Sequence, residues 1–261
     1  RHSLWSRGFI HAISLIPKGA CPVIIPIVYF DVHTHLTHAR FSEDVGETIE
    51  RARVAQLGAI VVNGLEPRSN RQILDMASAD PLIWPALGIY PVDAVNDMLS
   101  DDFVLPVSSF DVEEEIQYIE RMAADGRIRA VGECGLDGHW LPESTFSRQE
   151  RVFEALIDIA MRHELPLIIH TRKREARAAD ILRNFGARYV DFHCYGGKVK
   201  NALRWAREDG WWFSIPANAR RNEAFAKMLR DDGLMEEREY QVRPAPRRPS
   251  HRCRHTPVSA H

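Results

Sequence analysis

Apolar runs and amphipathic segments alternate along most of the chain. Short stretches of consecutive apolar residues predict buried strands, and segments with apolar residues every three or four positions predict helices. The predicted strands are Val23–Phe30, Ala59–Val62, Leu82–Gly88, Ile128–Gly132, Pro166–Ile169, Tyr189–Phe192 and Trp211–Ile215. The predicted helices are Ser42–Leu57, Arg68–Ser78, a segment capped by Asp111, Ser147–Leu165 with a capping box from Ser147 to Glu150, Glu175–Phe185, Lys198–Asp209 and Asn222–Arg230.

This alternation of strand and helix indicates an α/β fold with a parallel sheet and crossover helices. The strands are mostly apolar rather than alternating, as expected when helices cover both faces of the sheet. Two architectures fit the pattern, an open doubly wound sheet and a (β/α) barrel of the TIM type. Only seven strands are recognisable, so the barrel is expected to be incomplete, with its eighth strand missing.

The two ends of the sequence differ from the part between them. Residues 1–22 begin with basic residues and a short apolar patch that His11 and Ser14 interrupt, so we interpret them as an N-terminal extension. Residues 23–234 carry the barrel pattern. Residues 235–261 are rich in Arg, Pro and His, a composition typical of a disordered, solvated tail.

The overall composition narrows the class of partner. The 261 residues are 45% hydrophobic and 27% charged, and the net charge is −2, so only local charge can attract a polyanion. No apolar run approaches the roughly 20 residues of a membrane helix, which predicts no membrane partner. The four cysteines show neither metal-finger nor disulfide spacing, which favours the reducing cytoplasm.

Five potential metal ligands fall at the C-terminal ends of predicted strands. His33 and His35 lie two residues apart, so both project from one side of their strand, and Glu133, His170 and His193 follow three others. In a barrel these strand ends meet at one rim, where active sites are built. Singly, each residue has a structural explanation, such as a core histidine or an ion-paired glutamate. Five in equivalent positions favour a shared metal site and the barrel.

Four imidazoles and one carboxylate suit divalent ions of the Zn or Mn kind, and two ions fit if Glu133 bridges them. A bound ion lowers the pKa of water to about 7 and so supplies hydroxide at neutral pH. Two ions roughly 3.5–4 Å apart can hold a phosphoryl oxygen during attack. The ligand set therefore predicts metal-dependent hydrolysis.

Four segments resemble the signatures of the TatD family, and the resemblance extends over roughly residues 29–229. They are 30–35 (FDVHTH), 131–137 (VGECGLD), 166–172 (PLIIHTR) and 191–197 (DFHCYGG). The Gly-Glu-x-Gly-Leu-Asp segment is specific, whereas Asp-x-His-x-His is shared with many amidohydrolase-like barrels. The resemblance implies a (β/α)-barrel metal-dependent hydrolase, and known members are chiefly DNases.

The resemblance also implies roles for the ligands. His33 and His35 would hold one metal ion, His170 and His193 a second, and Glu133 would bridge the two as the catalytic carboxylate. The ions would be Zn, Mn or Mg, and the partner would be DNA. The oligomeric state is left open.

Four further residues receive roles from the same resemblance. Asp31 and Asp137 would orient the ligating imidazoles. Arg172 suits a substrate phosphate because its planar fork matches phosphate oxygens, and a surface ion pair is an equal alternative. Tyr90 stands where family members often have a histidine and would stack on a base.

One departure from the family concerns the end of the barrel. Members close with an eighth strand whose Glu-Thr-Asp motif supplies a metal-binding Asp, but nothing of that kind follows Leu234, and Asp231 and Asp232 are poor substitutes. Residues 235–261 look like the product of a shifted reading frame. We therefore expect the chain to bind metal with reduced turnover.

Three functions remain open from the sequence. The first is a deoxyribonuclease, with 3′–5′ exonuclease action as one form of it. The second is an amidohydrolase-like enzyme that cleaves a small ester or amide, although a glutamate rather than a carbamylated lysine at the bridging position favours the nuclease. The third is a catalytically impaired remnant.

Overall fold

The computed structural model describes residues 29–100 and 102–214. The N-terminal extension 1–22, most of the first predicted strand, the predicted helix Asn222–Arg230 and the tail 235–261 lie outside the described residues. The division of the chain into these three parts therefore stays a prediction.

Among the described residues, seven parallel strands form one sheet in chain order, and the sheet curls into an incomplete barrel. The strands are β1 (Tyr29–Thr34), β2 (Leu57–Asn63), β3 (Ile83–Leu87), β4 (Ala130–Asp137), β5 (Leu167–Arg172), β6 (Val190–Phe192) and β7 (Trp212–Phe213). Each strand pairs in parallel with the next along the chain. The predicted α/β class and incomplete barrel are confirmed.

Between residues 29 and 214, leaving residue 101 aside, six helices connect these strands. They are α1 (Val45–Val54), α2 (Pro67–Ala79), α3 (Val112–Ala124), α4 (Phe146–Arg162), α5 (Glu175–Asn184) and α6 (Val199–Glu208), with short 3₁₀ turns at Ala39–Phe41, Asp93–Met98 and Glu143–Thr145. Within the described part of the chain, no helix combines the length and the apolar character that crossing a bilayer requires.

The two predicted caps have different outcomes. Asp111 caps α3 as expected, since its Oδ1 accepts hydrogen bonds from the backbone N–H groups of Glu113 and Glu114. The capping box predicted for Ser147 and Glu150 is wrong. Helix α4 begins one residue before Ser147, and the Glu150 carboxylate instead binds two arginines of the following segment, Arg174 and Arg177.

Four strands extend beyond their predicted bounds; β1 continues to Thr34, and β2 runs from Leu57 to Asn63. Strand β4 continues through Glu133 to Asp137, and β5 continues through His170 to Arg172, so both predicted ligands lie inside strands. Pairing explains the extension, because Gly135 is in register with His170 and Asp137 with Arg172. The apolar run alone missed this part, since its polar residues face the interior of the barrel.

The two faces of the sheet bury different residues. Ile60 and Val62 belong to the large cluster beneath the helices, whereas Val61 between them packs with Ala86, Ala130 and Ile168 on the other face. Successive strand residues point to opposite faces, so His170 shares the inner face with Ile168. The inner face of the curled sheet therefore carries the polar centre.

Candidate metal centre

Glu133 lies at the middle of the polar cluster and is only 3% exposed. Its Oε2 lies 3.3 Å from Nε2 of His33 and 3.1 Å from Nε2 of His35. Its Oε1 lies 3.0 Å from Nδ1 of His170. The two oxygens of one carboxylate thus face histidines from different strands.

His33 and His35 turn acceptor atoms toward one point. The Nδ1–H of His35 donates to the Asn63 carbonyl at 3.0 Å, which leaves a lone pair on Nε2. That Nε2 lies 2.9 Å from Nε2 of His33. Donor atoms bound at 2.0–2.2 Å to a single Zn²⁺ ion lie about 3 Å apart. The spacing of these nitrogens and the Glu133 oxygen therefore fits a cation.

The electrostatic environment of His35 and Glu133 also favours a positive charge beside the carboxylate, either a proton on a histidine or a bound cation. Burial lowers the pKa of His35, but its contact with the Glu133 carboxylate outweighs burial and raises the pKa. Burial raises the pKa of Glu133, yet hydrogen bonds from His170, His33 and His35 hold it well below its usual range. An ionised carboxylate in a buried site requires a compensating cation.

His193 lies against His33. Its ring stacks on the ring of His33, with 3.3 Å between the centroids and 11° between the planes. Burial and the neighbouring His33 lower the pKa of His193 to about 3, so its imidazole is neutral, the form that binds metals. One donor atom each from His33, Glu133 and His193 lie within 4.8 Å of one another. Among the described residues, the buried Nδ1 of His33 has no hydrogen-bond partner.

His170 is held differently, between two carboxylates. Its Nδ1 faces Glu133, and its Nε2 lies 3.0 Å from Oδ2 of Asp137. Burial lowers the pKa of His170, but these two hydrogen bonds outweigh burial and raise it to about 9. The Tyr90 hydroxyl lies 3.4 Å from the same Nε2. A metal ion at His170 would have to replace a proton.

The two aspartates expected behind the imidazoles behave differently. Asp137 contacts the His170 ring directly, as the orienting role requires. Asp31 instead accepts a hydrogen bond from the backbone N–H of His33 at 3.1 Å, and burial raises its pKa. Asp31 therefore fixes the backbone of His33 rather than its ring.

Sequence reasoning missed a buried amide that supports Glu133. Asn70 in α2 donates to the Gly88 carbonyl at 2.9 Å and accepts from the Gly88 N–H at 3.2 Å. Gly88 lies so close to β4 that an added Cβ would be 2.4 Å from the Glu133 carbonyl oxygen. Asn70 also donates to the buried Glu115 carboxylate of α3 at 2.7 Å, and Arg71 binds that carboxylate at 2.5 Å.

The signals for the missed residues differ in strength. Asn63 ends β2 and could have been found by the strand-end rule that found the histidines. Asn70 and Glu115 lie inside helices, where nothing in the pattern separates them from ordinary surface polar residues. The two predicted substrate contacts, Tyr90 and Arg172, both lie near His170, since the Tyr90 ring packs edge-on against it and Arg172 ends the same strand.

The comparisons with known proteins agree on one protein family. The family model described as "TatD related DNase" matches residues 30–256. The "uncharacterized metal-dependent hydrolase YabD" of Bacillus subtilis is 31% identical over 79% of this chain and 77% of that protein. The "3'-5' ssDNA/RNA exonuclease TatD" of Edwardsiella piscicida is 31% identical over 64% of this chain and 60% of that protein.

Solved structures support the same architecture. The TatD homolog YJJV of Escherichia coli has a TM-score of 0.65 with 22% identity, and covers 78% of this chain and 74% of that chain. A TatD family hydrolase of Entamoeba histolytica has a TM-score of 0.61 with 16% identity, and covers 78% and 70%. At these identities the likeness shows the fold alone.

Proposed function

The chain belongs to the TatD-related DNase family of metal-dependent hydrolases, and from this membership we propose that it hydrolyses phosphodiester bonds in DNA. The observation that carries the proposal is the position of Glu133. One buried carboxylate faces His33 and His35 through one oxygen and His170 through the other. Such a carboxylate is suited to bridge two divalent ions.

The donor set fits such ions. His33, His35 and Oε2 of Glu133 would hold one ion, and Oε1 of Glu133 with His170 and His193 would hold a second. Imidazole and carboxylate donors together suit Zn or Mn, and a more oxygen-rich environment would suit Mg. When bound, the ions acidify water to a pKa of about 7 and polarise a phosphoryl oxygen.

The chain's own residues prepare this chemistry. The Asn63 carbonyl fixes His35 in the tautomer that presents Nε2. Asp137 orients the His170 ring. Arg172 presents a planar guanidinium beside the centre and would hold the substrate phosphate through two parallel hydrogen bonds.

The relatives bear on the direction of cleavage, and the cysteines bear on the cellular compartment. Relatives from Edwardsiella and Pectobacterium are described as 3'-5' ssDNA/RNA exonucleases, which favours cleavage from a 3′ end. Cys134 and Cys194 are free thiols, which fits the reducing cytoplasm.

A nuclease assay tests the proposal. Purified full-length protein is incubated with single-stranded DNA and Mg²⁺, Mn²⁺ or Zn²⁺, beside the His33→Ala and His170→Ala variants. We expect metal-dependent cleavage that both variants lose. Cleavage that does not exceed these controls would contradict the proposal, and metal binding without cleavage would identify an impaired remnant instead.

A further inference from the structure

An indole and a guanidinium face each other beside the metal centre. Trp140, in the segment that follows β4, is half-buried, and the guanidinium carbon of Arg172 lies 5.7 Å over its ring centroid. The ring of His139 meets the indole edge-on at 4.8 Å. Within residues 29–100 and 102–214, no carboxylate forms an ion pair with Arg172.

One buried carboxylate fixes Trp140 relative to the centre. Oδ1 of Asp137 accepts hydrogen bonds from the backbone N–H groups of His139 at 2.6 Å and Trp140 at 2.8 Å. Oδ2 of the same side chain holds Nε2 of His170 at 3.0 Å. Strand register adds a second tie, since the Gly138 N–H donates to the Arg172 carbonyl at 2.8 Å. The indole, the guanidinium and His170 therefore belong to one connected unit.

The indole also rests on an apolar support. Trp140 and Tyr90 pack against a small buried cluster formed by Val92, Val95 and Leu141. This cluster is separate from the main core, and Val92 and Val95 belong to the segment between β3 and α3. Part of the indole nevertheless remains accessible to solvent, so a rigidly held aromatic surface is available beside the centre.

The chemistry of the pair suits a nucleobase. Unstacked bases bind to aromatic rings and to arginine planes. A planar base between two groups needs about 7 Å, twice the carbon contact distance of about 3.5 Å. The observed 5.7 Å is slightly shorter, so a small shift of the flexible arginine side chain would admit a base.

We propose that Trp140 and Arg172 form a stacking subsite for one unpaired nucleobase next to the phosphodiester that is cleaved. This inference rests on the proposed function. A base in a duplex is covered on both faces by its neighbours, so the subsite selects single-stranded ends or loops. It also assigns Arg172 a contact with the base in addition to the phosphate.

Binding without turnover tests the subsite. A 5′-labelled single-stranded oligonucleotide and the same oligonucleotide with abasic 3′-terminal positions are titrated without metal, and fluorescence anisotropy gives both dissociation constants. The variants are Trp140→Ala, Trp140→Phe and Arg172→Ala. Tyr189→Ala is the matched control, since Tyr189 is an exposed aromatic residue just before β6, at the opposite end of the sheet.

We expect Trp140→Ala to raise the dissociation constant of the base-bearing oligonucleotide about tenfold and to leave that of the abasic one unchanged. Trp140→Phe should retain most of the affinity, Arg172→Ala should weaken both oligonucleotides but the base-bearing one more, and Tyr189→Ala should match the wild type. Thermal unfolding checks that Trp140→Ala is folded. If Trp140→Ala is unfolded, the affinities of Trp140→Phe and Arg172→Ala for the two oligonucleotides test the subsite instead.

Two results would overturn the subsite. One is equal affinity of the wild type for both oligonucleotides, and the other is an equal loss for both in Trp140→Ala. A parallel cleavage assay with Mn²⁺ separates this inference from the proposed function. Cleavage without base discrimination removes the subsite alone, and base discrimination without any cleavage removes the nuclease function alone.

Discussion

The two sides of Glu133 are built by different means. On the side of β4 and β5, both ring nitrogens of His170 are hydrogen-bonded to carboxylates, and the Tyr90 ring packs edge-on against the imidazole. On the side of β1, the buried Nδ1 of His33 has no partner among the described residues, and the His33 ring stacks on the ring of His193. On the β5 side, protein carboxylates accept hydrogen bonds from both imidazole nitrogens. On the β1 side, several nitrogen and oxygen atoms lie close together with too few protons to hydrogen-bond to one another, so their lone pairs are available to a cation.

This contrast between the two sides indicates how a bridging carboxylate can be kept in place before an ion binds. The hydrogen bonds of His170 and Asp137 fix one oxygen of Glu133. The other oxygen is then presented to the His33 and His35 nitrogens at close range. We infer that the β1 side is the stronger cation site and that the β5 side supplies its rigidity.

Replacing Glu133 should have the largest effect, because both sides share this residue. We expect Glu133→Gln to lower Mn²⁺ affinity by more than the 10–100-fold typical of removing an outer partner, and to abolish cleavage. Isothermal titration calorimetry measures the affinity. Glu143→Gln, at an exposed glutamate in the 3₁₀ turn before α4, is the matched control. Wild-type affinity in Glu133→Gln would contradict the shared role.

Replacing Asp137 should weaken one side only. The Asp137→Asn substitution removes the negative charge that accepts the hydrogen bond from the His170 ring. We therefore expect a roughly 10–100-fold loss in metal affinity or activity. The exposed Asp97 provides the control Asp97→Asn. Calorimetry on Asp137→Asn should still show a site with nearly wild-type affinity, and loss of all binding would show that the two sides are not separable.

Replacing Asn70 should loosen the support of Glu133 without touching any ligand. Asn70→Ala leaves the buried Glu115 carboxylate and the Gly88 backbone with fewer partners, which costs about 1–3 kcal/mol of unfolding free energy. We also expect a several-fold fall in kcat with little change in KM. Urea denaturation and steady-state kinetics measure the two effects, and Asn184→Ala at the exposed end of α5 is the control. An unchanged kcat would limit Asn70 to a structural role.

Replacing Asp93 should have the smallest effect on the centre and change only the pH dependence of stability. Burial, and then the nearby Glu66, raise the pKa of Asp93 to about 7. The folded protein therefore binds more protons than the unfolded chain between about pH 4 and pH 7, and stability falls as pH rises through this window. In Asp93→Asn this loss, roughly 1–3 kcal/mol, should be absent. Unfolding free energies at pH 5 and pH 8 check the result, and equal slopes in both proteins would refute it.

The sequence predicts the parts of the centre that follow from strand ends. The alternation of elements gives the parallel sheet, and the position of His33, His35, Glu133, His170 and His193 near strand ends predicts their convergence, which the structure bears out. Their roles as ligands stay a proposal. The rule works because parallel strands in a barrel deliver their C-terminal ends to one rim.

The remaining features depend on contacts between elements distant in sequence. The stack of His33 on His193 joins β1 to β6, and the hydrogen bonds of Asn70 join α2 to the Gly88 turn and to α3. Neither leaves a periodic signal in one segment. The capping box at Ser147 failed for a related reason, since the Glu150 side chain prefers two arginines beyond its own helix.

Anomalous diffraction from crystals of the full-length protein grown with Mn²⁺ shows whether the Glu133 carboxylate lies between two bound ions. We predict two anomalous peaks that flank the Glu133 carboxylate, one against His33 and His35 and the other against His170 and His193. Peaks only at surface carboxylates, with none within coordination distance of Glu133, would contradict a bridging role for Glu133.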